Sequence, residues 1–277
     1  MGNRTRELVA GKCWWCSQPA TSREHKFKRS DLVRDYGRGS FIADGGLVRV
    51  SDGSSVRVQG PNSKALKFEP VMCTECNTTR SQSFDRAYEA LSNFILRHED
   101  EILRTGTFDL RLIYGPDWRA RSDDALRYYV KHICCRLAEC LGSGRVVLDE
   151  SVFDFLEGHS AWPDCIAAEF FIDPGFLAIT ELLRAGGENP AHHEMTQIWA
   201  DFHRPTGQIV GPQARLSNRW FRFAWQVDGF DPRPPPFASP IVELPRIDSL
   251  PAQEVENLRR RVDEVTQASR PECDDQR

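Results

Sequence analysis

The 277 residues are 40% hydrophobic and 27% charged, an ordinary globular balance, and no apolar run approaches the roughly 20 residues of a bilayer-spanning helix, which argues against a membrane protein. Nine cysteines, odd in number and clustered, argue against a disulfide scaffold and for metal binding in a reducing compartment, so a cytoplasmic protein is expected. The net charge of -4 is unevenly shared: residues 1–90 carry 15 Lys and Arg against 10 Asp and Glu, net +5, and the rest carries 21 against 30, net -9. The basic third is the part suited to a polyanion.

In chain order, residues 1–12 read as a polar lead-in to Cys13-Trp-Trp-Cys16, with Trp14 and Trp15 as cover for a metal site. A short strand is expected around Ser22 to Phe27, and a helix of one or two turns over 30–36 with Ser30 as its cap. Two alternating arms, 47–50 and 55–58, flank an Asp-Gly turn and predict a β-hairpin, with Arg49 and Arg57 on comparable sides. After Cys73-Thr-Glu-Cys76, apolar residues at helical spacing predict a helix from Ser83 to about Leu103, with Asp85 compensating its dipole. A strand is expected over 108–113 and a helix from a Ser122 cap to Leu141, on which Cys134, Cys135 and Cys140 are ordinary cysteines. Beyond lie a short helix at 149–157, an apolar run at 166–172, a helix from Pro174, a solvent-facing His192-His193 loop and a meander over 198–227. A proline-rich spacer, a charged helix from Gln253 to Gln267 and a polar tail complete the chain. The expected division is 1–104, 105–236 and 237–277. The fold class is α+β, with the acidic C-terminal region available for a protein partner or homo-oligomer.

The chemistry concentrates around the cysteines. Two Cys-x-x-Cys knuckles, Cys13/Cys16 and Cys73/Cys76, offer the four thiolates of a structural zinc, although 56 residues, Ser17 to Met72, separate them. If one ion pins both segments, the adjacent carboxylate and imidazole of Glu24 and His25 approach the carboxamide of Asn77. The basic side chains Arg23, Lys26, Lys28, Arg29, Arg34 and Arg38 crowd around the Glu24-His25 pair and suit phosphate contact.

The pattern Cys-x-x-Cys, Glu-His, Cys-x-x-Cys-Asn-x-x-Arg resembles the zinc-stapled branch of the HNH (ββα-metal) endonucleases, over about the first ninety residues. The resemblance implies that Glu24 and Asn77 hold a catalytic Mg²⁺ or Mn²⁺, that His25 is the general base on water, and that Arg80 faces phosphate. It also implies that Cys13, Cys16, Cys73 and Cys76 hold structural Zn²⁺. The implied activity is hydrolysis of phosphodiester bonds in DNA, with RNA left open, and the setting that suits it is a nuclease effector in bacterial defence against phage. Phe68 stands where the family has its middle Asn, so that helper is either missing or supplied by Asn62. A zinc-stapled nucleic-acid-binding module without turnover is the alternative.

Overall fold

The structure, a computed structural model, describes residues 5–39, 41, 47–51, 54–140, 146–203, 208–227 and 234–246 together with parts of 253–260. In chain order these form β1 (Thr5–Glu7), α1 (Arg29–Tyr36), β2 (Leu47–Ser51), β3 (Ser54–Val58), α2 (Gln82–Arg97), α3 (Glu99–Thr105), β4 (Thr107–Asp109), α4 (Leu110–Tyr114) and α5 (Trp118–Cys140). There follow β5 (Val147–Asp149), α6 (Glu150–Glu157), β6 (Ile166–Ile172), α7 (Pro174–Ala185), β7 (His193–Met195), β8 (Trp199–His203), β9 (Gln208–Asn218), β10 (Phe221–Val227) and β11 (Ile241–Glu243), a mixed α+β fold.

Helix α5 is the axis. Every residue from 128 to 137 is buried, so the helix is covered on all sides, as a helix must be when no single polar stripe faces water. Tyr128 stacks on Tyr88 of α2 with ring centroids 4.0 Å apart, while Tyr129 meets Phe170 of β6 at 5.0 Å and Phe223 of β10 at 4.3 Å. Cys135 receives the indole N–H of Trp14, 3.4 Å away, from the first knuckle. Burying each large apolar side chain here contributes about 1.5–3 kcal/mol. Helix α2 supplies its partner face at helical spacing, with Phe84, Ala87, Tyr88, Leu91 and Ile95 buried.

An antiparallel sheet in the order β6-β10-β9-β7 lies behind α5, and β8 shares with β7 the far edge of β9. The lead-in is a strand: β1 pairs with β5 through Thr5 and Asp149, and β11 pairs with β4 through Ile241 and Asp109. These pairings and one continuous buried cluster, running from Leu8 to Leu244, join segments from all three expected divisions.

The hairpin β2–β3 forms as expected. Its register, Arg49 opposite Val56 and Val48 opposite Arg57, sets the two arginines on opposite faces, because directly paired residues share a face. The 108–113 strand is instead β4 followed by α4, since the Asp109 carboxylate caps the helix by accepting from Arg111 N. Helix α5 starts at Trp118, four residues early; Ser122 lies inside it, its hydroxyl bonded to the Arg119 carbonyl. The α1 helix begins at Arg29 without a side-chain cap, and Ser30 bonds Glu89. The 83–103 helix breaks at His98 into α2 and α3, the latter ending at Gly106 with φ 71°. His193 is not solvent-facing: its Nε2 lies 3.0 Å from the buried Asp35 carboxylate, which also holds Arg219 at 3.1 Å and so anchors α1 to the sheet. The C-terminal tail, most of the Gln253–Gln267 helix, the expected helix end at Leu141 and part of the proline-rich spacer fall outside the described residues. Among the described residues no helix is long and apolar enough to cross a membrane.

Candidate functional site

The two knuckles meet. Trp14 N donates to the Val71 carbonyl at 3.1 Å, aligning the first knuckle with the chain entering the second. Within each, tight turns turn the thiols inward: Ser17 N bonds Cys13 O at 2.8 Å, and Cys76 N points at Cys73 Sγ at 3.4 Å. The Sγ atoms of Cys13, Cys16, Cys73 and Cys76 all lie within 4.8 Å of one another, and those of Cys16 and Cys73 are 3.5 Å apart. Zinc–sulfur bonds of about 2.3 Å give tetrahedral S···S edges of about 3.8 Å, so the four sulfurs fit one zinc-sized ion. Four thiols this close cannot all ionise unaided. Hydrogen bonding to Cys76 lowers Cys13 to about 4, and the same bond pushes Cys76 up. Cys76 to Arg80 form a single π-helical turn leading into α2, which sets Asn77 and Arg80 beside the cluster.

Glu24 is buried, and its Oε2 lies 3.2 Å from Nζ of Lys131, a fully buried lysine of α5. The same ammonium reaches Asp85 Oδ1 at 3.0 Å and Ser81 Oγ at 3.3 Å, and Lys28 approaches Asp85 at 3.0 Å. Burial works to lower the pKa of Lys131, but the Glu24 and Asp85 carboxylates outweigh it and raise it, so the ammonium stays charged. Asp85 is therefore a half-buried partner of a buried ammonium and not merely a compensator of the helix dipole.

Asn77 donates from Nδ2 to Ser22 Oγ at 2.8 Å, which fixes the amide; its Oδ1 is buried without a partner. Ser81 Oγ bonds the Asn77 carbonyl at 3.2 Å, so Asn77 and Glu24 are joined through Ser81 and Lys131. His25 faces a different set of neighbours. The Pro61 backbone and the charges of Lys67, Lys28 and Arg29 act on its ring, and its Nε2 is buried without a partner. Desolvation first, and then the Lys67 charge, lower its pKa to about 4. Asn77 Oδ1 and the Glu24 carboxylate are hard oxygens of the kind Mg²⁺ and Mn²⁺ take.

The other basic residues are mostly paired. Arg80 bonds Cys76 Sγ at 3.4 Å, ion-pairs with Glu157 and lies over Trp15, 4.5 Å from the ring centroid. Arg23 meets Glu69 at 2.7 Å, Lys26 meets Glu139 at 2.9 Å, and Arg29 bonds Asn62 at 3.1 Å. Phe68 is fully buried, in edge contact with the His132 ring. Lys67, Lys131, Ser22 and Pro61 are the neighbours of the candidate residues that no motif marks; Lys67 is found only because it is bridged to His25 across antiparallel chains. A scan against protein-family models finds no family that matches, and searches of curated proteins and of solved structures return no match.

Proposed function

We propose that the chain is a divalent-cation-dependent endonuclease of the HNH kind, hydrolysing phosphodiester bonds of DNA, with a zinc held by Cys13, Cys16, Cys73 and Cys76 as its staple. The observation that carries the reading is the His25 ring: its Nε2 is buried without a hydrogen-bond partner, its backbone is bridged to Lys67, and the charges of Lys67, Lys28 and Arg29 act on the imidazole. Such a ring is neutral at pH 7 and takes a proton from water at Nε2. A pKa of about 4 is low for a base at neutral pH, but a phosphodiester anion drawn in by the three cations favours the imidazolium and raises it. Glu24 and Asn77 would hold the Mg²⁺ or Mn²⁺, the latter through its orphaned Oδ1. The bound cation would polarise the phosphate and stabilise the departing oxygen.

Nicking of supercoiled plasmid with Mn²⁺ or Mg²⁺, comparing wild type with His25→Ala at equal zinc content, tests the reading. Loss of about 10²–10⁴-fold in the variant is expected. The second reading, a zinc-stapled nucleic-acid-binding module without turnover, is favoured by the ammonium of Lys131 already neutralising Glu24. Equal inertness of both proteins with DNA binding retained would select it.

A further inference from the structure

We infer that Lys131 is a positioning residue that sets the affinity of the site for its divalent cation, an inference that rests on Glu24 being a cation ligand as proposed above. The ammonium is fully buried and has no route to substrate; its hydrogen bonds go to Glu24 Oε2, Asp85 Oδ1 and Ser81 Oγ. A cation ligated by Glu24 therefore meets a fixed positive charge on the same carboxylate. Two carboxylates, Glu24 and Asp85, share one buried ammonium, with Lys28 on the outer side of Asp85. Lys131 thus does two opposing things: it holds the Glu24 oxygens in place between α2 and α5, and it competes with the divalent ion for them. The consequence is a site that stays charge-balanced when empty and binds its cation only weakly until substrate phosphate adds negative charge.

The test is Mn²⁺ binding followed by electron paramagnetic resonance on the full-length, zinc-loaded protein, for wild type, Lys131→Met, Lys131→Arg and Lys131→Met/Glu24→Gln. Removing the competing charge is expected to tighten Mn²⁺ binding at least about tenfold in Lys131→Met. Lys131→Arg should stay within a few-fold of wild type, and the double variant should lose the gain. Mn²⁺ binding by Lys131→Met no tighter than wild type, or a gain that survives Glu24→Gln, overturns the inference. If Lys131→Met fails to fold alone, added Mn²⁺ should restore its circular dichroism, and failure to do so also overturns it. Plasmid nicking reports separately: a protein that nicks yet ignores Lys131 loses only this inference, and one that gains the Mn²⁺ site yet never nicks loses only the nuclease reading.

Discussion

Trp15 Nε1 donates to Glu157 Oε1 at 2.7 Å, across 142 residues of chain. The same oxygen accepts from Arg80, whose other nitrogen points at Cys76 Sγ. One carboxylate at the end of α6 thereby grips a residue of the first knuckle and the residue that supports the last thiolate. Partners of this kind orient ligands and typically change metal affinity 10–100-fold when removed. Arg80→Ala and Glu157→Ala should each release zinc to a chelator about tenfold faster than wild type; unchanged release would assign Arg80 to phosphate instead.

The buried ion pair of Glu24 and Lys131 predicts a stability pattern in cation-free buffer. Removing one partner leaves an uncompensated charge, which costs about 3–5 kcal/mol. Lys131→Met, which strands the buried Glu24 carboxylate, should therefore be markedly destabilised in urea melts, more than Glu24→Gln, which leaves the ammonium its Asp85 partner, and Lys131→Met/Glu24→Gln should recover much of the loss. Strict additivity of the two single changes would show that the pair is not coupled.

Zinc removal tests the staple itself. The four thiols come from segments whose only long-range backbone ties nearby are a few bonds such as Trp14 N to Val71 O. Structural zinc contributes about 10–16 kcal/mol of apparent binding free energy in small units. Cys73→Ser, or chelation of the wild type, should expose Trp14 and Trp15 and red-shift tryptophan emission. An unshifted spectrum in zinc-free protein would mean that α5 packing alone holds the knuckles.

His132 gives the pH dependence. It is buried, its Nε2 lies 2.9 Å from the Lys26 carbonyl, and burial lowers its pKa to about 3, with Arg136, Lys131 and Lys26 adding to the shift. The unfolded chain binds a proton near pH 6.5 and the folded chain does not. Stability from this group is therefore complete above about pH 6.5 and is lost as the pH falls toward 3, by up to about 1.4 kcal/mol per unit. His132→Gln should show a shallower acid limb in urea melts than wild type at matched zinc content; identical limbs would remove His132 as a cause.

Much of the local structure is legible in the residues themselves. The helical spacing of Phe84, Tyr88, Leu91 and Ile95, the alternating arms around an Asp-Gly turn and the paired cysteines each encode their geometry in a few neighbouring positions, where local sterics and ligand chemistry act. The structure departs from the pattern where one side chain outweighs it, as where Asp109 caps a helix inside an apolar run.

The four thiols and their knuckles were determined by the sequence alone, because a Cys-x-x-Cys turn needs nothing beyond its own backbone. Which groups would surround Glu24, His25 and Asn77 was decided only by tertiary structure. Lys131 is 107 residues from Glu24, and nothing in the helical pattern of α5 distinguishes a lysine facing water from one facing two carboxylates. Long-range electrostatic pairing depends on how α5 is enclosed, and that enclosure is made by α2, the knuckles and the sheet together.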